Sequence, residues 1–316
     1  MPHSLRQTIS IALLILAGGF TSFASHANTL VVLSAGGGVY IEILSELTKR
    51  SVLNPGQYHF VALSDSETLP SLPDATTGII TIGTRAAQAV YQLQPAVPVL
   101  SALITESGFA HLANTHYASL DEAHQQGVSA IYLDQPLRRL YRLGVLALPN
   151  SKRVGVLSSD ISLTADKSLT TADSTRDIEI DFTVVSGDAR PINLLGPIIK
   201  NSDFVIVLPG KKSINVSAAR WILQFGSQTR TPVIAYSKRY VASGALAAVY
   251  TSPANVAEQI QSVLAAPRPV HGARGRTYQP ETFSIEINPT VAKALGVPLS
   301  EKSFYHDEIQ RMEGAE

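Results

Sequence analysis

The apolar positions of this chain fall into short runs separated by helical patterns, and the alternation occurs in two successive series. Near-continuous apolar runs are typical of parallel strands that are buried on both faces. The first series of predicted strands is 30–33, 59–63, 78–82, 97–103 and 130–133. The second series is 153–157, 178–185, 204–208 and 232–236. Because helical patterns lie between the strands, we predict an α/β fold with two doubly wound parallel-sheet lobes.

The remaining segments are expected to complete these sheets. Residues 244–250 predict a strand, and Ser252-Pro253 provides an N-cap and a first-turn proline for a helix. The alternating stretch FSIEIN predicts one more strand, and Asn288-Pro289 opens a last helix. We therefore expect the following division: 28–133 with 239–266 as lobe 1, 136–237 with 275–316 as lobe 2, and hinge crossings at 134–135 and near 238.

The N-terminus has the three parts of a secretory signal peptide. An Arg-containing start is followed by the apolar stretch TISIALLILAGGFTSF and by the small residues Ser25 and Ala27, which flank His26. We predict that residues 1–27 are a signal peptide cleaved near Ala27, the alternative being a buried N-terminal helix. The chain has no cysteine, which excludes an acylated-cysteine anchor. We therefore expect a periplasmic protein that is not a lipoprotein.

Composition and charge limit the classes of partner that the protein is expected to bind. The 316 residues are 45% hydrophobic and 16% charged, as in an ordinary globular protein. Lys and Arg together number 25, as do Asp and Glu, so no overall field attracts a polyanion. We expect no nucleic-acid partner.

Two glycine-containing stretches resemble nucleotide-binding loops but lack a required residue. The loop SAGGGVY has Gly36 and Gly38 in place, but Ile41 stands where a dinucleotide fingerprint needs its third glycine. The stretch LPGKKS lacks the earlier glycine of a P-loop, because Val205 is at that position. We expect no nucleotide cofactor.

No catalytic motif is present either. The chain lacks a G-x-S-x-G elbow and an H-E-x-x-H pair. His111, His116 and His124 are near one another in sequence, and they are either exposed histidines or, as the less favoured alternative, a metal site. We predict neither catalytic nor metal-binding residues.

Small and polar residues are concentrated where the predicted strands end. Ligands of open parallel sheets bind beyond the carboxyl ends of the strands. The predicted ligand-binding residues are Ser34, Gly36, Gly83, Thr84, Asp134, Gln135, Ser158, Gly210, Lys211 and Ser237. The backbone amides at 36–38 and 83–84 are expected to head helices and to suit a ligand anion. The alternative for each residue is a helix cap or a turn former.

Three stretches resemble a known family. AIYLDQPLRRLYRLGVLALPNSKRVGVLSS, TPVIAYSKRYVASGALAAVYTSPANVAEQIQSVL and FSIEINPTVAKALGVPLS are similar to the lobe crossings and closing strand of ABC transporter substrate-binding proteins of the tryptophan/tyrosine-binding type. This resemblance implies a type I periplasmic binding protein fold with three crossings. It also implies a small ligand held between the lobes, such as an aromatic amino acid, and delivery to a membrane permease driven by an ATPase.

The chain departs from that family at its first ligand loop, where Ser34-Ala35 precedes three glycines that begin at Gly36. The ammonium of an amino acid needs a carboxylate partner, and Asp134 and Asp65 are the candidates. We expect a monomeric, non-enzymatic solute-binding protein with an ABC permease as partner. The alternatives are a ligand-binding module that signals to a membrane sensor and an exported α/β enzyme.

Overall fold

A computed structural model provides the three-dimensional structure. It describes residues 28–50, 58–63, 69, 71–158, 178–184, 191–209, 216–266 and 274–314. The predicted signal peptide, Asp65, Gly210 and Lys211 lie outside these residues.

Two six-stranded sheets organise the described chain. The strands of the first sheet are β1 Asn28–Leu33, β2 Tyr58–Ala62, β3 Thr76–Ile82, β4 Val99–Ile104, β5 Val128–Tyr132 and β11 Thr277–Tyr278. Those of the second are β6 Arg153–Ser158, β7 Glu179–Val184, β8 Phe204–Val207, β9 Val233–Ala235, β10 Ala247–Tyr250 and β12 Ser284–Ile287. The helices are α1 Val39–Lys49, α2 Thr84–Gln92, α3 Glu106–His116, α4 Leu120–Gln125, α5 Leu137–Ala147, α6 Pro191–Asn201, α7 Val216–Thr229, α8 Lys238–Ala242, α9 Pro253–Ala265, α10 Pro289–Leu295 and α11 Lys302–Gly314.

Both sheets are wound in the same order. The first runs β11-β5-β4-β3-β1-β2 and the second β12-β10-β9-β8-β6-β7. The strand pairs are parallel except for β10 with β12, which is antiparallel, so the second sheet is mixed at one edge. The prediction of two doubly wound α/β lobes is confirmed.

Alternating side chains of each strand enter different cores. In β1, Leu30 and Val32 belong to one apolar cluster, whereas Val31 and Leu33 belong to another. The side-chain period of a strand is two residues, so these clusters lie on opposite faces of the first sheet. Because an apolar cluster covers each face of the sheet, the strands have continuous apolar sequences.

The helix starts follow local sequence signals. Ser252 caps α9 through a capping box with Asn255, and Pro253 occupies the first turn, as predicted. The Asn288 side chain accepts hydrogen bonds from the first amides of α10.

The pairing of two strands corrects the expected lobe boundaries. Strand β10 lies within 239–266, which we expected in lobe 1, but it pairs with β9 in the second sheet through Ala247 and Ile234. Strand β11 lies within 275–316, which we expected in lobe 2, but it pairs with β5 in the first sheet. The second crossing is therefore at 251–252 and not near 238.

All three connections between the sheets lie at carboxyl ends of strands. The first crossing, 133–136, follows β5, and the second, 251–252, follows β10. The third, 279–283, follows β11, which is parallel to β5. It enters β12, which is antiparallel to β10 and so begins beside the carboxyl end of that strand. The carboxyl edges of both sheets therefore meet at the crossings.

Candidate functional site

Each sheet has a switch point at which chain connections leave in opposite directions. In the first sheet this is between β1 and β3, where the Ser34 amide donates to the Ile82 carbonyl at 3.0 Å. In the second it is between β6 and β8, and Ser158 ends β6. Crevices at such points are the usual ligand sites of open α/β sheets. The structure thus brings Ser34 and Ser158 to equivalent positions in the two lobes.

Glycines begin the two helices at the first switch point. Gly38 is the N-cap of α1, with φ 59°, and Gly83 is the N-cap of α2, with φ 97°. The prediction that these glycine segments head helices is confirmed. Neither residue has a side chain that could cap, and Gly36 and Thr84 are exposed. Free amides at a helix start are suited to an anionic group of a ligand, but the predicted Gly83 amide is not free, because it donates to the Ala102 carbonyl at 2.9 Å.

Two predicted ligand-binding serines cap helices instead. The Ser34 hydroxyl accepts a hydrogen bond from the Ala86 amide of α2 at 2.9 Å, and its residue is only 2% exposed. The Ser237 hydroxyl accepts from the Tyr240 amide of α8 at 3.4 Å. These two residues follow the alternative interpretation, in which a polar residue at a strand end is a helix cap.

The ring of Tyr40, in the first turn of α1, lies beside the same point. A Cβ atom added at Gly83 would lie 2.5 Å from Ser34 Oγ and 2.7 Å from Tyr40 Cε1. Glycine at position 83 therefore leaves room for both the capping hydroxyl and the aromatic ring.

Asp134 lies in the first crossing and is partly buried. Its Oδ2 accepts a hydrogen bond from the Glu106 amide, the first residue of α3, at 2.6 Å. Burial raises the pKa of Asp134 above its ordinary value of 3.8, although hydrogen bonds from backbone amides oppose the shift. This carboxyl group could bind a cationic or hydrogen-bonding group of a ligand.

Tyr236, directly after β9, is a candidate site residue that is absent from the residues predicted from the sequence. Burial raises its pKa, a hydrogen bond with Tyr240 opposes this, and the negative charge of Asp134 adds to the increase. The ring centroids of Tyr236 and Tyr240 are 5.2 Å apart. Asp134 follows the last long strand of the first sheet and Tyr236 follows β9 of the second, so the two residues belong to different lobes. The position of Tyr236 beside Ser237, directly after an apolar strand, was the available signal.

Gln135, in the first crossing, is hydrogen-bonded to the other two crossings. Its Nε2 donates to Thr251 Oγ1 at 2.7 Å in the second crossing and to the Thr282 carbonyl at 3.2 Å in the third. The Thr251 hydroxyl donates back to the Leu133 carbonyl at 2.8 Å. Both N–H groups of the Gln135 amide are thereby used within the hinge, so this arrangement leaves neither to donate to a ligand.

The described residues provide binding groups and no assembled metal site. Among them, no group of three or more His, Cys, Asp or Glu side chains could hold a metal ion. His111 and His116 lie on α3 and His124 lies on α4. Across the same ranges, the length and apolar composition needed to cross a bilayer are not combined in any helix.

Comparisons with known proteins identify the fold. No protein-family model and no curated protein match the chain. An open, ligand-free substrate-binding protein with adhesive properties from Clostridium difficile matches with TM-score 0.61 and 16% identity, covering 87% of this chain and 97% of that one. The fold is that of the type I periplasmic binding proteins.

Two further solved structures have the same fold. A conserved domain protein from Vibrio cholerae matches with TM-score 0.55, and an ABC domain in complex with L-Trp from Streptococcus pneumonia matches with TM-score 0.52. Each is 18% identical and covers 89% of this chain and 98% of its own. A transcriptional activator is also among the matching chains. Likeness at this identity establishes the type I periplasmic binding fold and leaves the ligand to be argued from the site.

Proposed function

We propose that the protein is a periplasmic solute-binding protein that captures a small ligand between its lobes and delivers it to an ABC permease. The observation that carries the proposal is the meeting of both carboxyl edges at the three crossings, with Asp134 and Tyr236 contributed from opposite sides. Closure about such a cleft adds contacts from both lobes to the bound ligand. The protein acts as a monomer after removal of residues 1–27, and it carries out no chemical step.

The favoured ligand is an amino acid or another small carboxylate. A ligand carboxylate would accept hydrogen bonds from amides of the exposed residues at the starts of α1 and α2, such as Gly37 and Thr84. An ammonium group would pair with Asp134, and Tyr236 would supply an aromatic wall. Ser158, Gly210 and Lys211 remain proposed contacts from the second lobe. The family resemblance to tryptophan/tyrosine-binding proteins favours an aromatic amino acid within this class.

A thermal-shift screen of the chain lacking residues 1–27 tests the proposal. The compounds are amino acids, small carboxylates, sugars and nucleosides, because a ligand that binds only the folded protein raises the melting temperature by mass action. We expect an amino acid or another small carboxylate to raise the melting temperature, and we expect Asp134→Asn to reduce the shift of any ligand that carries an ammonium group. A shift from sugars or nucleosides alone would refute the ligand class. Chemical turnover of the ligand would refute the binding-protein proposal.

A signalling role is the second candidate, since the same closed form can dock onto a membrane sensor. Pull-down with the purified ligand-bound protein distinguishes the two. Capture by a permease supports transport, and capture by a sensor kinase in its place supports signalling.

A further inference from the structure

Arg139, in the first turn of α5, uses every hydrogen-bond donor of its side chain in the hinge region. Its Nε and Nη2 donate to the two carboxylate oxygens of Glu313 at 2.6 and 2.9 Å. Its Nη1 donates to Gln135 Oε1 and the Pro280 carbonyl, both at 2.8 Å, and Nη2 donates to the Glu281 carbonyl at 3.2 Å. Guanidinium has five N–H donors, so none remains unused.

These acceptors belong to three separate parts of the chain. Gln135 is in the first crossing, Pro280 and Glu281 are in the third, and Glu313 is near the end of the C-terminal helix α11. The second crossing joins through Thr251, which bonds to Gln135. We call Gln135, Arg139, Thr251 and Glu313 the hinge network.

The position of Arg139 is unfavourable for α5 considered alone. A cation in the first helical turn opposes the helix dipole, and α5 has no acidic residue there. The Arg139 and Glu313 side chains are 7% and 18% exposed, so forming the pair also removes charge from water. Buried ion pairs contribute little to stability against apolar replacements, but their geometry can select one arrangement over others.

We infer that the C-terminal helix sets the angle between the two lobes through the Glu313–Arg139 ion pair. The inference rests on the proposed function, in which the lobes open and close. Arg139 and Glu313 lie on helices that pack with the second sheet, where α5 contributes Leu140 and α11 contributes Ile309 to one core. The carbonyls that Arg139 binds lie in the third crossing, which must rotate when the lobes move. Hydrogen bonds from a fixed guanidinium to a rotating segment favour one hinge angle.

Distances between spin labels test this inference without any ligand. Because the chain has no cysteine, Gln88→Cys on α2 and Ser227→Cys on α7 introduce the only two labelling sites, both at exposed positions. Pulsed electron paramagnetic resonance then gives the distribution of distances between the lobes. We expect Glu313→Gln to shift the mean by several ångströms or to broaden the distribution clearly. Glu308→Gln, which removes an ion pair with Arg311 on the same helix, should leave the distribution unchanged.

Glu313→Asp provides a milder test if circular dichroism shows that Glu313→Gln is unfolded, since it keeps the charge and withdraws the carboxylate by one methylene. A changed distribution in the folded variant, with an unchanged Glu308→Gln control, supports the inference. A lower melting temperature with an unchanged distribution would mean that the pair is merely structural and would overturn it. The ligand screen is independent, so the failure of either claim is recognised separately.

Discussion

Gly83 has a positive φ, is the N-cap of a helix and lies against two close neighbours. Its φ is 97°, and an added Cβ would be within 3 Å of Ser34 Oγ and Tyr40 Cε1. A Cβ atom added at Gly37, in the loop before α1, would have no atom of a described residue within 4 Å apart from those of its chain neighbours. Glycine is therefore required at position 83 by backbone conformation and by close packing, whereas the space around Gly37 would accept a side chain.

We predict that Gly83→Ala lowers the free energy of unfolding by about 1–3 kcal/mol, because the substituted residue combines backbone strain with crowding. Gly37→Ala should change it by less than about 0.5 kcal/mol, since a surface substitution away from close contacts has little effect. Urea unfolding of the two variants measures both values. Equal effects would contradict the assigned role of Gly83.

Asp134 provides a pH-dependent prediction at the same scale. Burial raises its pKa, so the folded protein holds this proton more tightly than the unfolded chain does. The free energy of unfolding therefore falls as pH rises from the ordinary pKa of 3.8 through the raised pKa of the folded state. Above the folded pKa, the full destabilisation by the buried charge is present.

Asp134→Asn should accordingly raise the free energy of unfolding at neutral pH and have little effect below the ordinary pKa of the carboxyl group. The asparagine side-chain oxygen can still accept from the Glu106 amide, so this hydrogen bond is kept. Chemical unfolding across this pH range measures the difference. A variant that is less stable at neutral pH than in acid, relative to the native chain, would contradict the predicted sign.

At the scale of elements, β11 joins the first sheet through an unusually close backbone approach. A Cβ atom at Gly275 would lie 2.0 Å from the Val128 carbonyl oxygen, and the Gly275 amide donates to the His124 carbonyl at 2.7 Å. The Ala130 amide of β5 donates to the Arg276 carbonyl at 3.1 Å. The short strand β11 depends on this approach to reach β5.

We predict that Gly275→Ala displaces β11 and costs about 1–3 kcal/mol of stability, as overpacking does in well-packed sites. Amide hydrogen exchange should become faster at Ala130, while the amides of β1 stay protected. Gly314→Ala, at a position with open space, is the control. Unchanged exchange at Ala130 would show that β11 docks independently of Gly275.

The strands of both lobes could be predicted because their apolar runs are buried on both faces. The sheet that β10 joins could not be predicted, because an apolar run indicates a strand but not its neighbour. The two-residue strand β11 has no period of its own and exists through its pairing with β5. Strand ends at Ser34 and Gly83 were found from the rule for open sheets. The hinge network was missed because Gln135 and Arg139 contact residues more than 100 positions away.

The whole molecule combines two like-wound lobes with crossings that share one hydrogen-bonded network. The proposed binding residues lie on both sides of the crossings, and the hinge residues lie between them. Under the proposed function, this arrangement would couple ligand capture to movement of the lobes, since a ligand that contacts both sides favours the closed form. Asp134 and Tyr236 are the pair whose separation closure would change.

Closure of the lobes on a ligand is measured by the distance between spin labels at Gln88→Cys and Ser227→Cys. The measurement is made on the chain lacking residues 1–27, alone and with separate pools of amino acids, small carboxylates, sugars and nucleosides. We expect a new population at a shorter distance with the amino acid or carboxylate pool. The same distance distribution in every pool would contradict it.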